Sequence, residues 1–175
     1  AIRMLVALLV GWVVLKRMTS WQPLRREDWK IILISSLGFF FFQLFFTEGV
    51  QLTTAGNSSL ILGCLPVSVA IINHFHGFES ISRITMIGIL VSLTGVVVMV
   101  TGTGKEINLT GEHSIGALML LIAQMSYGYY TVFSRQLLSI YSAYQITAYI
   151  LLNSTGLFVL VSLPSIAATD WQSVP

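Results

Sequence analysis

Residues 31–50 read IILISSLGFFFFQLFFTEGV, twenty positions in which Glu48 is the only ionisable side chain. A hydrocarbon core about 30 Å thick takes roughly 20 apolar residues as an α-helix, so this stretch predicts a transmembrane helix. It is too continuous for a barrel strand, which alternates apolar and polar residues. In lipid, only helices and closed barrels satisfy every backbone group internally. Working outward, runs of the same kind predict spans over about 1–15, 31–50, 56–74, 84–102, 114–134 and 143–164. Arg135 is the first charged residue after Glu112, and beyond it only Asp170 carries a charge. Charged residues make up 9% of the chain, against about 25% in an average soluble domain, and the mean hydropathy is +0.83. The expected fold class is all-α: a polytopic transmembrane helix bundle of about six spans, without a soluble domain.

The run at 1–15 is short and the chain opens with Ala1 inside it, so the sequence is expected to be a piece of a longer one. A signal peptide is the rival reading, since Arg3 precedes an apolar run, but Lys16 and Arg17 follow where a small-residue cleavage site would stand. Lys and Arg resist translocation and so report orientation. Lys16, Arg17, Arg25, Arg26 and Lys30 share one loop, and alternation puts Arg83 and Arg135 on the same side; only Arg3 and Lys105 fall opposite. Loops 16–30, 75–83 and 135–142 are therefore read as cytoplasmic. This asymmetry accounts for the net charge of +2 and gives no reason to expect a nucleic-acid partner. The basic loop suits anionic lipid headgroups.

Cys64 is the single cysteine, so neither a disulfide framework nor a multi-cysteine metal site is expected. His74 and His76 form a His-x-His pair, but no set of ligands accompanies them, and no metal or other cofactor is expected. Gly102-Thr103-Gly104-Lys105 departs from the phosphate-loop pattern at Met99 and Glu106, and reads as a turn. Asn108-Leu109-Thr110 is a glycosylation sequon, which matters only in a eukaryotic secretory setting.

Polar residues at membrane depth are the functional candidates. Glu48 is the only acid within a predicted span; it is a proton-coupling candidate by default, or an interfacial anchor, since its helix reaches the outer interface near it. Gln43 reads either as a cavity-facing hydrogen bonder or as a tie between helices. The span at 56–74 begins with Asn57 and Ser58 and carries Pro66, which removes a backbone donor and frees a carbonyl in mid-helix. Broken helices of this kind line the sites of transporters; a late-starting helix with an ordinary membrane proline is the plainer alternative. Thr85, Gly88, Ser92 and Gly95 form a small-residue stripe expected to support close helix packing. Gln124, Tyr127 and Thr131 share one helical face, with Tyr130 a candidate for the interfacial aromatic belt. Asn153, amid Gln145, Ser154 and Thr155, falls near mid-membrane and must find a partner or water.

These residues resemble a known family. The run from Asn57-Ser58-Ser59-Leu60 through Leu65-Pro66-Val67, then Phe78-Glu79-Ser80-Ile81-Ser82, then Gly88 and Gly95-Val96-Val97, is similar to the first repeat of the EamA-type transporters of the drug/metabolite transporter superfamily. Gly116-Ala117-Leu118 through Tyr127-Gly128-Tyr129-Tyr130 and Arg135 resembles the start of the second repeat. The resemblance implies a ten-helix fold of two inverted five-helix repeats around a central cavity. Residues 1–110 would then supply helices two to five of the first repeat, and residues 111–175 helices one and two of the second. Pro66, the polar start at Asn57 and Ser58, and the aromatic face of the 114–134 helix would line the cavity. Glu79 matches the family's loop acid and is expected to be structural.

The function so implied is alternating-access transport, by the full-length protein, of a small organic metabolite or drug, of the amino-acid or metabolite efflux type. No ATP site is visible, so a substrate or ion gradient would drive it. Gln43, Asn57, Ser58, Pro66, Gln124, Tyr127 and Asn153 are the expected substrate-binding residues. The partners are the small-molecule substrate and the lipid bilayer of the plasma membrane, with a homodimer left open. An enzyme is not expected, because Glu48, His74 and His76 lie at opposite membrane faces on this topology. A non-transporting membrane scaffold is the rival, since packing stripes and polar ties would look the same in it.

Overall fold

The structure, a computed structural model, describes residues 22–79, 81–102 and 112–168. The predicted span at 1–15, the Gly102–Lys105 turn beyond its first residue, and the sequon at 108–110 lie outside the described residues. Helices occupy the other five predicted ranges: α1 (Asp28–Leu52), α2 (Ala55–Gly63), α3 (Leu65–Phe75), α4 (Arg83–Gly102), α5 (Glu112–Leu137) and α6 (Ala143–Ala168). Among the described residues there is no strand. Asp28–Leu52, Ala55–Phe75, Ser114–Leu137 and Ala143–Val161 are each long and apolar enough to cross a membrane, the second counted through its break.

The distribution of polarity is that of a lipid-facing bundle. Ser35, Ser36, Asn57, Ser68, Gln124, Gln145 and Ser154 are buried, whereas Leu33, Leu37 and Phe41 of α1, and Leu118 and Leu121 of α5, are exposed; Ile84 at the start of α4 is 83% exposed. Water would penalise these apolar faces, but a hydrocarbon solvent does not. Hydroxyls facing that solvent satisfy themselves within their own helix: Thr47, Ser59, Thr94 and Ser126 each donate to the carbonyl four residues earlier.

α1 and α5 run antiparallel in close contact. Glycines set the approach: a Cβ at Gly38 would lie 2.8 Å from the Ser126 carbonyl oxygen, and one at Gly116 would lie 2.7 Å from the Leu52 carbonyl carbon. Between these points aromatic rings fill the interface, with Phe39 against Tyr130 at 5.3 Å and Phe42 against Tyr127 at 4.7 Å. Tyr130, expected in the interfacial belt, is thus half-buried in a helix-helix seam. α6 runs parallel to α1, held by Trp29 on Tyr149, the Ser154 hydroxyl donating to the Ser36 carbonyl at 3.0 Å, and Phe40 on Phe158. A core cluster of Ile32, Leu137, Tyr141, Ile146 and Ile150 closes one end of the bundle, and Ile61, Ala117 and Leu120 pack together toward the other.

The helix directions gather charge at one end. Arg25, Arg26 and Lys30 at the start of α1, Arg83 at the start of α4 and Arg135 at the end of α5 are all the Lys and Arg among the described residues. Cross-helix bonds confirm that these ends meet: Tyr141 donates to Asp28 Oδ2 at 2.7 Å, and the Gln145 amide bonds the Gln22 backbone. The small-residue stripe on α4 behaves otherwise than expected. A Cβ at Gly88 or Gly95 would meet no heavy atom within 4 Å, so neither glycine makes a close helix approach among the described residues.

Candidate functional site

The span from Ala55 to Phe75 is broken at Cys64, whose φ/ψ of −80°/3° leaves the helical region. Pro66 sits in the first turn of α3, where its missing N–H is harmless to α3 itself. The missing donor is felt one turn earlier, because the Leu62 carbonyl loses its i+4 partner. The Cys64 N–H turns back to Ile61 O at 2.9 Å. Gln124 of α5 completes the repair: its Nε2 donates to both Ile61 O and Leu62 O at 3.0 Å. One helical turn further along α5, Gly128 lets α3 approach, since a Cβ there would lie 2.6 Å from Ile72 Cδ1. The break is therefore a built feature, with an amide on one side and a glycine on the other.

The polar start of α2 is a helix cap. Thr54 Oγ1 accepts from the Asn57 N–H at 3.2 Å, Asn57 Nδ2 donates to Thr53 Oγ1 at 3.0 Å, and Ser58 Oγ donates to Thr54 O at 3.0 Å. Asn57 and Ser58 are buried there. Gln43 is half-buried on α1, and Tyr127 is half-buried against Phe42. On α6, Asn153 Nδ2 and Thr155 Oγ1 are buried and have no hydrogen-bond partner among the described residues. Glu48 is exposed near the end of α1 that is remote from the cations.

Pro66 lies on the wall of an open cleft of about 350 Å³ between α3 and α4. Leu65, Pro66, Val69 and Ala70 form its α3 side, with Ile81 and Ile89 opposite. Its polar groups are Asn73, Thr85, Glu79 and Arg135. A second cavity of about 290 Å³ adjoins it at Asn73, Glu79 and Arg135 and extends to Gln136 and Ser139. Arg135 Nη1 pairs with Glu79 Oε1 at 3.2 Å, both side chains more than half exposed. The chain reaches this pair through a tight helix end. Gly77, at φ +67°, takes the left-handed conformation after α3, with the Phe78 N–H returning to Asn73 O at 3.0 Å. That turn lays Phe78 edge-on to Phe133 and stacks His76 on Phe78.

Of the residues singled out in the sequence, Pro66 lines this cleft, while Gln124, Asn57 and Ser58 lie at or beyond the break toward the other end. Asn73, Arg135 and Gln136 were missed as site residues. Their available signal was weak: an amide and two polar groups at helix ends that the charge count had already placed on one side of the membrane.

The EamA-like transporter family matches residues 1–101, which covers α1 to α4 up to the last residue of α4. The chain is 27% identical over 158 residues to uncharacterized transporter YetK of Bacillus subtilis (strain 168), a match covering 89% of this chain and 47% of that protein. It is likewise 27% identical over 166 residues to uncharacterized transporter YdfC of the same organism, covering 93% of this chain and 53% of that one. The chain thus spans about half the length of the curated relatives it matches. No solved structure matches it. Lipid-facing helices, a proline-broken span and the family match over more than half its length agree: the chain belongs to the EamA-like transporter family.

Proposed function

We propose that the full-length protein moves a small organic solute, an amino acid, related metabolite or drug-like amphiphile, out across the plasma membrane by alternating access. Residues 1–110 would belong to one five-helix repeat and residues 111–175 would open a second, inverted one. The observation that carries the reading is the break at Cys64 and Pro66. Irregular backbone at membrane depth persists only where protein or a water-filled cavity receives it, and here Gln124 receives part of it while Pro66 faces an open cleft. The buried Asn153 Nδ2, without a hydrogen-bond partner among the described residues, supports a second polar surface on α6. Gln43, Asn57, Ser58, Pro66, Gln124, Tyr127 and Asn153 are the residues we assign to solute binding or to shaping its route, and Glu48 is the carboxylate we assign to proton coupling.

The test is counterflow of a panel of labelled amino acids and amphiphilic drugs in proteoliposomes of the full-length protein, with Pro66→Ala alongside. The reading expects solute-specific flux, and a loss of flux in Pro66→Ala that exceeds its loss of folded protein. Equal loss of both would return Pro66 to a packing role and favour the scaffold.

A further inference from the structure

The two adjoining cavities share one set of polar groups, Asn73, Glu79 and Arg135. They present opposite charges side by side at the basic end of the bundle, next to an apolar wall built from Pro66, Val69 and Ala70 of α3. An ion pair this exposed is held weakly, so a ligand can enter between its members. A ligand carrying one charge would match only one member of the pair. A zwitterion leaves neither charge unmatched. Gln136 also lines the smaller cavity, and its Nε2, buried with no hydrogen-bond partner among the described residues, becomes a donor to a ligand there by a turn of its side chain. The larger cavity, about 350 Å³, falls at the lower end of the small-ligand range, roughly 300–1,000 Å³, and the smaller, about 290 Å³, adjoins it.

We propose that this cleft is a binding site for a zwitterionic amphiphile, with its cationic group at Glu79, its phosphate or carboxylate at Arg135 and Gln136, and its apolar body along α3. The same chemistry comes from two sources, the phosphoethanolamine head of a membrane lipid or a free zwitterion with an apolar side chain. In the second case the inference rests on the transport reading above.

The experiment uses the full-length protein in detergent with Cys64→Ser and a reporter, Thr85→Cys, on the wall of the larger cavity. Alkylation of the reporter is timed with lysophosphatidylethanolamine, with norleucine, and with anionic lysophosphatidylglycerol. A zwitterion that occupies the cleft slows labelling about tenfold when present at roughly ten times its Kd. Protection by the lysolipid alone identifies a lipid headgroup site; protection by norleucine as well identifies a solute site. Glu79→Gln and Arg135→Gln are each expected to abolish protection. Gln136→Leu, which leaves the ion pair intact, is expected to weaken it even if the charge variants fail to fold. Equal protection by lysophosphatidylglycerol, or protection unaffected by these variants, would overturn the site. Binding is read without flux, so this failure and a failure of the transport reading are separable.

Discussion

Gln124 and Pro66 act on the same carbonyl from opposite directions, one by supplying a donor and the other by lacking one. Their effects should therefore be coupled. Gln124→Leu is expected to cost about 1 kcal/mol, in the range measured for hydrogen bonds between membrane helices. In a Pro66→Ala background the restored backbone N–H serves Leu62 O, and the same substitution should cost clearly less. A double-mutant cycle on unfolding stability reads the difference; equal costs in both backgrounds would mean that Gln124 contributes packing alone. Each residue stood out in the sequence as polar or helix-breaking at membrane depth, but nothing local linked them, because the link is a contact between separate helices. Glu48 was equally visible, and its place near the outer end of its helix already pointed to an exposed position. Exposed near the remote end of α1, it is open to water, and Glu48→Gln is expected to flatten the pH dependence of flux. An unchanged profile would make it an interfacial anchor.

Helix extents were legible to within a few residues, since the thickness of the hydrocarbon sets the length of each apolar run: the stretch at 31–50 became Asp28–Leu52 and that at 143–164 became Ala143–Ala168. Which small residues face a neighbour was not legible. The spacing of Thr85, Gly88, Ser92 and Gly95 suits close packing, yet the close approaches are made by Gly38, Gly49, Gly116 and Gly128. Glycine spacing shows that a face is smooth without showing what lies against it. The contrast is measurable. Gly38→Ala and Gly116→Ala place a methyl within 3 Å of backbone atoms that cannot swing aside, and overpacking of this kind costs about 1–3 kcal/mol. Gly88→Ala and Gly95→Ala meet open space among the described residues and should be neutral or slightly stabilising through helix propensity. Equal effects of the four in thermal unfolding would contradict the α1–α5 seam.

Across the whole molecule, positive charge on alternate loops predicted that Arg25, Arg26, Lys30, Arg83 and Arg135 share one side, and the helix directions bring them to one end. The cleft at that end was not legible, because it depends on the turn at Gly77 laying Glu79 beside Arg135. Family membership follows from the match over residues 1–101; the solute route is the central proposal. It is tested most directly by single cysteines along α3 in the full-length Cys64→Ser protein in lipid vesicles, probed with a water-soluble, membrane-impermeant thiol reagent. Val69, Ala70 and Asn73 face the cleft, whereas Ser68 and Ile72 are buried, Ile72 against Gly128 of α5. Labelling at Val69, Ala70 and Asn73 with protection at Ser68 and Ile72, and with exposed Glu27 just before α1 as the labelled control, is the expected result. Protection at every α3 position while the Glu27 control reacts would mean that lipid or protein fills the cleft, and would contradict a water-accessible route along the proline-broken helix.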